Sequence, residues 1–294
     1  MRAVVSNEHV KLAIPAAVCQ HMPMIRSKII FVVTAALALA STVPATAAPL
    51  NPTGKWVVDY EDQACIATRA YGTATNPVHL TLKPSPRGGT MQLSILQKGS
   101  RGTVAVEEFG KMSLDGGRDL PISILSFGSS DVLYATRVNL SAESFAALRT
   151  ARTLQIRGRS TDETFVLEQL PELMKQIDAC VVDLEAAWNM GPDASTKIRS
   201  RASGSLVGLF SSEDYPAAAT RTLKSGSVTV VLLINERGKV ADCSVTVTSG
   251  AAGLDAQACA VISQRANFKP AIGFDGKPTR DTFSQRVNWQ NQPR

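Results

Sequence analysis

Apolar and polar residues alternate with a period of two through much of the chain between residues 53 and 187. The segment Val78-His-Leu-Thr-Leu-Lys83 alternates strictly and ends at Pro84. Short alternating runs separated by turn residues are typical of antiparallel strands in a β-sandwich or a barrel-like sheet. The predicted strands, in chain order, cover residues 55–60, 65–71, 78–83, 91–96, 103–106, 120–127, 132–138, 153–156 and 164–167.

Two helical patterns interrupt this series. Ser141 can cap a short helix that runs to Leu148, because a serine oxygen accepts a hydrogen bond from the first turn of a helix. Residues 170–188 form a longer helix with its apolar residues spaced three or four apart. Cys180 lies on the apolar face of this helix, which predicts that it is buried.

Residues 189–212 are rich in glycine and serine, and we expect this segment to be a linker. A second series of predicted helices and strands follows it. The chain then predicts the order α-β-β-α-β. Its members are a helix capped by Asp214 and running to Leu223, strands at 227–235 and 239–249, a helix at 254–266 and a last strand at 282–290. The expected fold class is therefore α+β. A β-rich, sandwich or barrel-like domain with flanking helices covers 48–188, and a small α-β-β-α-β domain covers 213–294.

The N-terminal segment has the features of an export signal. Ile29–Val43 is an uncharged apolar run of 15 residues, preceded by Arg26 and Lys28 and followed by small residues. We predict that residues 1–47 are an upstream extension and a signal peptide, with cleavage before Ala48 and a periplasmic product. The alternative is an uncleaved anchor in the inner membrane facing the periplasm, although a spanning helix needs about 20 apolar residues.

Composition narrows the possible functions. The chain has 294 residues and a net charge of +6, distributed as +3 over residues 1–47, −1 over 48–200 and +4 over 201–294. The basic residues are not interleaved with aromatic stacking platforms, so we expect no nucleic-acid partner. Glycine-rich nucleotide motifs and zinc-site spacings are missing from the sequence, so we expect no cofactor and no metal.

Four cysteines follow the predicted cleavage site: Cys65, Cys180, Cys243 and Cys259. An even number of cysteines in an exported chain predicts two disulfides. Three pairings are possible. We favour Cys65–Cys180 and Cys243–Cys259, because each pair then stays inside one predicted domain.

Residues 213–290 resemble the C-terminal domain of the TonB family. The motifs that carry the resemblance are Tyr215-Pro216, the hairpin Gly226–Val240 with Gly238 in its turn, Ser249-Gly250 followed by Leu254-Asp255, Phe268-Lys-Pro-Ala271, Gly276-Lys-Pro278 and Arg286-Val287-Asn-Trp289. Cys243 and Cys259 resemble a cysteine-bearing branch of that family, in which the second strand is bridged to the following helix. The first domain resembles exported β-sandwich proteins of the invasion-associated locus B type.

The resemblance implies a binding mode. TonB C-terminal domains bind an extended peptide of an outer-membrane transporter beside their last strand, by addition of a strand to a sheet edge. The corresponding edge strand here is Thr282, Phe283, Ser284, Gln285, Arg286, Val287, Asn288 and Trp289. The odd-numbered residues of this strand share one face and are expected to pack on helix 254–266. The alternative is that the strand is core structure without a ligand.

The TonB resemblance implies that an energy transducer has a histidine in its N-terminal membrane anchor and a long proline-rich spacer after the anchor. Neither feature is found in this sequence. The run Ile29–Val43 contains no histidine, and no long proline-rich spacer follows it. We therefore expect a periplasmic, non-catalytic adaptor that binds an envelope protein or peptide, such as an outer-membrane transporter. It would contact a membrane only if the N-terminal segment is uncleaved.

Two alternatives stay open. One is a membrane-anchored TonB-type energy transducer for transport across the outer membrane. The other is a hydrolase that uses His79, the one histidine after the predicted cleavage site.

Overall fold

The computed structural model describes residues 48–99, 104–130, 133–216 and 225–290. The predicted signal segment 1–47 lies outside the described residues, as does most of the helix predicted to end at Leu223. What the structure shows before that helix is a 3₁₀ turn at Ser212–Asp214. The described residues belong to a single compact unit.

The N-terminal part is one antiparallel sheet of nine strands that curls into a half-barrel. Its order is β1-β2-β3-β4-β7-β6-β5-β8-β9. Because the sheet is continuous, the barrel-like alternative is confirmed and the two-sheet sandwich is not. The strands are β1 (Val57–Glu61), β2 (Ala64–Gly72), β3 (Pro77–Pro84), β4 (Met91–Lys98), β5 (Val106–Leu114), β6 (Leu120–Ser130), β7 (Leu133–Leu140), β8 (Thr153–Arg157) and β9 (Asp162–Val166).

A short extended segment connects β9, at one end of this sheet, to β2, the second strand from the other end. Leu50 donates its N–H to the carbonyl of Thr164 at 2.7 Å and accepts a hydrogen bond from the N–H of Val166 at 3.0 Å. Three residues later, Thr53 donates to the carbonyl of Ala70 at 2.9 Å. The segment therefore bridges β9 to β2 and satisfies backbone groups that an open sheet would leave exposed.

The inner face of the curled sheet carries the main apolar core. In β3 and β4 the inward residues are fully buried, as the period-two pattern predicts. Helix α1 (Ala142–Leu148) and helix α2 (Leu170–Ala187) cover this core with Phe145 and Ile177 among their buried residues. The predicted cap is confirmed, because Ser141 Oγ accepts the N–H of Ser144 at 3.2 Å.

The fifth strand is where the sequence prediction is wrong. The pattern predicts it at 103–106, of which position 103 lies outside the described residues, whereas β5 runs from Val106 to Leu114. Its residues do not alternate in hydrophobicity, because side-chain contacts rather than burial hold part of the strand. The carboxylate of Glu108 accepts hydrogen bonds from the backbone N–H groups of Arg159 and Ser160, at 2.8 and 3.0 Å.

The C-terminal part contains two three-stranded sheets, with orders β12-β11-β15 and β10-β13-β14. Its elements are α3 (Ala194–Lys197), β10 (Ile198–Ser200), β11 (Gly226–Ile234), β12 (Val240–Val247), α4 (Ala252–Arg265), β13 (Ala271–Gly273), β14 (Pro278–Thr279) and β15 (Asp281–Trp289). The β-β-α-β part of the predicted order is confirmed.

The hairpin between β11 and β12 depends on Gly238. This residue has φ +73°, and a Cβ atom built on it would lie 2.0 Å from the carbonyl oxygen of Phe268. The carbonyl of Gly238 in turn accepts the N–H of Phe268 at 2.9 Å. Only glycine allows both the left-handed backbone and this close approach.

Part of the segment predicted as a linker is folded. Strand β10 pairs with β13, and Ser203 exchanges backbone hydrogen bonds with Lys269 at 2.8 and 3.1 Å. Ile198 and Ala202 are buried in the same cluster as the C-terminal core. The division into two domains at 189–212 stays a prediction.

Candidate functional site

The predicted binding strand, β15, lies at one edge of its sheet. It pairs along its whole length with β11, from Asp281 opposite Ile234 to Trp289 opposite Gly226. In the order β12-β11-β15 its other side faces away from the sheet. This is the arrangement that strand addition requires.

Alternate residues of β15 direct their backbone N–H and C=O groups either toward β11 or away from the sheet. The carbonyl of Arg286 accepts the side-chain amide of Gln285 at 2.9 Å, which places it on the outer side. Since alternate residues of a strand direct N–H and C=O to the same side, Thr282 and Ser284 also face outward. Among the described residues, no backbone hydrogen bond reaches the outward groups of Thr282, Ser284 or Arg286.

The odd-numbered side chains of β15 belong to the core of this sheet. Phe283, Val287 and Trp289 lie in one apolar cluster with residues of α4 such as Leu254 and Ile262. The Trp289 ring makes edge contacts with Phe210 and Tyr215, at centroid distances of 5.4 and 5.6 Å. Gln285, the fourth residue of this set, is half-buried. These apolar contacts fix the strand in an extended form before any partner binds.

The opposite edge of the sheet, β12, is covered by the β-rich part. Thr90 Oγ1 donates to the carbonyl of Val245 at 3.1 Å. Lys83 Nζ lies 2.5 Å from Asp242 Oδ1, and both side chains are largely buried. Of the two edges, β15 is therefore the one whose outward backbone groups meet no other element of the described chain; the one contact there is the Gln285 amide on the Arg286 carbonyl.

The β-rich part also covers one face of the sheet. Val231 and Leu233 of β11 are fully buried on this face. Leu233 packs in a cluster with the Cys65–Cys180 disulfide and Trp188. We call this face the domain-facing side; the even-numbered side chains of β15 also lie on it, because Leu233 pairs with Thr282 and Val231 pairs with Ser284.

Both predicted disulfides are present. Cys65–Cys180 joins β2 to α2 with a Cα–Cα distance of 6.0 Å, and Cys243–Cys259 joins β12 to α4 with a distance of 5.5 Å. The second bond fixes the covered edge strand to the helix that packs under the sheet.

Residues 211–290 match the family model described as Gram-negative bacterial TonB protein C-terminal. The segment is therefore similar to a TonB C-terminal domain, and we call residues 211–290 by that name. The family is transport-associated and non-catalytic, and its domains interact with outer-membrane proteins. No curated protein and no solved structure matches the chain.

A buried carboxylate attaches the TonB C-terminal domain to the β-rich sheet. Asp255, in the first turn of α4, is fully buried. It accepts hydrogen bonds from Thr248 Oγ1 at 2.5 Å, from the N–H of Ser249 at 2.8 Å and from Asn139 Nδ2 of β7 at 3.2 Å. The negative charge also favours the N-terminal end of the helix.

A second carboxylate holds the start of β15. Asp281 is fully buried, accepts the backbone N–H of Ala202 at 2.7 Å and forms an ion pair with Arg201 at 2.8 Å. Residues Arg201 and Ala202, in the segment predicted as a linker, therefore contact the first residue of β15.

One residue near the site was missed by sequence reasoning. Arg87, in the turn between β3 and β4, donates a hydrogen bond from Nη2 to Thr282 Oγ1 at 3.3 Å. The adjoining Gly88 and Gly89 have positive φ, so a turn could be predicted from Arg-Gly-Gly. Its position beside a strand almost 200 residues later could not, because only the packing of the two parts brings them together.

The hydrolase alternative depends on His79 alone. His79 is half-buried in β3, where its backbone belongs to the sheet, and among the described residues its imidazole takes part in no hydrogen bond or ion pair. The part of the chain that the structure describes contains no group of three His, Cys, Asp or Glu residues that could hold a metal ion. Within the same ranges, no helix has the length and hydrophobicity needed to cross a membrane.

Proposed function

We propose that this protein is a periplasmic, non-catalytic adaptor that binds an envelope partner by strand addition at β15. One observation carries the proposal: among the described residues, no backbone hydrogen bond reaches the outward groups of Thr282, Ser284 and Arg286, whereas the other edge of the sheet is contacted by the β-rich part. The family supports the class of activity, because its domains interact with outer-membrane proteins.

In this mechanism the chain supplies a preformed edge. The partner segment lies beside β15 and exchanges hydrogen bonds with the N–H and C=O groups of alternate residues. The Gln285 amide moves off the Arg286 carbonyl when the partner arrives. Because Phe283, Val287 and Trp289 already hold β15 extended, its backbone has little conformational entropy left to lose on binding.

The periplasmic location is supported by the chemistry of the cysteines. All four cysteines of the described residues are paired in disulfides, which persist in oxidising compartments such as the periplasm. Mass spectrometry of the protein purified from the envelope tests this part of the proposal. A mature N-terminus at Ala48 is expected, whereas an intact N-terminal segment would favour the membrane-anchored energy transducer.

A proline on the edge strand tests strand addition. Ser284→Pro removes an outward N–H and keeps the ladder to β11, because proline is tolerated where the N–H of an edge strand faces away. Ser284→Ala is the matched control, since it keeps the N–H. Circular dichroism and thermal melting of both variants establish that they are folded.

Binding is read in cells by site-specific photo-crosslinking. A photoreactive residue replaces the exposed Gln290 at the end of β15, and a control chain carries it at exposed Val57 of β1. We expect an envelope protein to crosslink at position 290 only, to persist in Ser284→Ala and to be lost in Ser284→Pro. An adduct that forms equally well in folded Ser284→Pro would show that β15 is not the binding edge.

A further inference from the structure

We propose that the strand added to β15 is acidic, with two carboxylates four residues apart that are recognised by Arg286 of β15 and Arg87 of the β-rich part. This inference rests on the proposed function and specifies the chemistry of the partner. It also gives the β-rich part a role in recognition, because one of the two arginines comes from its β3–β4 turn.

The two arginines lie on the same side of the binding strand. Arg87 reaches the domain-facing side at Thr282, where its Nη2 is 3.3 Å from the threonine hydroxyl. Arg286 belongs to the same alternating set and its side chain is exposed. Because a strand rises about 3.4 Å per residue, positions 282 and 286 are about 14 Å apart. Ser284, small and exposed, lies between them.

Within the described ranges of the chain, the charges of these two arginines are not neutralised. Among the described residues, neither Arg87 nor Arg286 forms an ion pair with a carboxylate. The carboxylate on the binding strand itself, Asp281, is fully buried and already paired with Arg201. The segment 201–294 also carries a net charge of +4. The edge therefore presents an uncompensated positive field to an arriving strand.

The spacing of the arginines specifies the partner. In an added strand, residues on the domain-facing side recur every second position, so carboxylates at positions i and i+4 face the two arginines. The residue at i+2 faces Ser284. Residues of the other set extend the row of Phe283 and Val287, which favours apolar side chains there.

The same charges disfavour a second copy of this chain as the occupant. Two β15 strands paired antiparallel about a two-fold axis keep the same face of the sheet on the same side. Arg286 and Arg87 of one copy would then share a surface with those of the other. Like charges directly across a strand pair are destabilising, whereas an acidic strand offers complementary charges.

Three synthetic peptides test the proposal on the full chain. The acidic probe is Ser-Glu-Val-Thr-Val-Glu-Val-Ser, and two matched probes replace both glutamates with lysine or with glutamine. Fluorescence anisotropy gives the dissociation constant of each labelled peptide. The protein variants are Arg87→Glu, Arg286→Glu and their double mutant, with Arg118→Glu as a control for an equal change of charge at an exposed arginine of the β5–β6 loop.

We expect the acidic peptide to bind the unmodified protein about tenfold more tightly than the lysine peptide, because several exposed charge pairs change sign between them. The double mutant should reverse this order, each single mutant should reduce the preference, and Arg118→Glu should leave it unchanged. The preference should also weaken at high salt. Equal affinities for the two charged peptides, or a preference that survives in the double mutant, would overturn the inference.

The glutamine peptide separates this inference from the proposed function. If it binds and Ser284→Pro abolishes its binding, strand addition is correct, and the charged peptides then decide on the acidic partner alone. If no peptide binds, or if folded Ser284→Pro binds all three normally, both proposals are wrong. Sedimentation of the protein without peptide completes the test, since a dimer that Ser284→Pro dissociates would make a second copy the occupant.

Discussion

Asp214 accepts hydrogen bonds from both terminal nitrogens of Arg265, at 2.6 and 2.7 Å. The pair joins the 3₁₀ turn that opens the TonB C-terminal domain to the last turn of α4. Asp214 also accepts the backbone N–H of Ser211 at 2.7 Å, which completes a capping box. Hydrogen bonding by Arg265 and Ser211 lowers the pKa of Asp214 from 3.8 to about 2.

This ion pair predicts a specific loss of stability in acid. Because the folded-state pKa of Asp214 lies below the unfolded value, its contribution is complete above pH 3.8 and is lost as the pH falls through about 2. In Asp214→Asn this dependence is missing. Urea unfolding between about pH 5 and 2 should show a shallower fall in unfolding free energy for Asp214→Asn than for the unmodified chain. Parallel curves would show that the pair does not shift the titration of Asp214.

The two disulfides should differ in what they contribute. They span 16 and 115 residues. In the chain-entropy model the short loop contributes about 3 kcal/mol and the long loop about 4–5 kcal/mol. The double variants Cys243→Ala/Cys259→Ala and Cys65→Ala/Cys180→Ala, unfolded in urea, give the two losses directly. A larger loss for the shorter loop would mean that packing around the sulfurs, rather than loop closure, dominates.

Trp289 is predicted to be a stability residue although it lies on the binding strand. Its side chain is 3% exposed and contacts two aromatic rings. Trp289→Ala should reduce the free energy of unfolding by about 3–5 kcal/mol, because it leaves a cavity in the core. Ser284→Ala, on the opposite face of the same strand, is the control and should change it by less than about 1 kcal/mol. Similar values for the two variants would contradict the packing of β15 described above.

Asp255 should be costly to remove, because it is fully buried and accepts three hydrogen bonds. In Asp255→Ala the donors of Thr248, Ser249 and Asn139 lose their acceptor, which should destabilise the fold by about 2–4 kcal/mol. Asp59→Ala, at an exposed aspartate of β1, provides the comparison and should be nearly neutral. Differential scanning calorimetry of the two variants measures the contrast. A neutral Asp255→Ala would mean that water replaces the carboxylate at this junction.

Much of the fold follows from the sequence because burial alternates along the strands. In β3 the apolar residues Val78, Leu80 and Leu82 occupy every second position. They are the residues that face the core, because apolar side chains gain free energy on burial. Strand β5 does not follow from the pattern, because its Glu108 is held by backbone N–H groups of a distant loop. Local periodicity carries no information about a partner of that kind.

Some features of the candidate site could likewise be predicted from the sequence, and others could not. The edge position of β15 could be expected from the family resemblance, and the set of buried side chains from alternation. The coverage of β12 by Thr90 and the approach of Arg87 to Thr282 could not. Both depend on how the two parts of the chain pack, and residues that meet only through tertiary packing leave no spacing signature in one sequence.

The hydrogen bond from Thr90 to Val245 has a consequence for assembly. A small sheet with two open edges can pair with another chain at each edge. Copies of such a protein can therefore join edge to edge into a fibre. In the part of the chain that the structure describes, the β-rich sheet takes up one of these edges within the same molecule. The TonB C-terminal domain is thereby left with one open edge, so the strand addition proposed at β15 would end after a single partner instead of propagating from copy to copy.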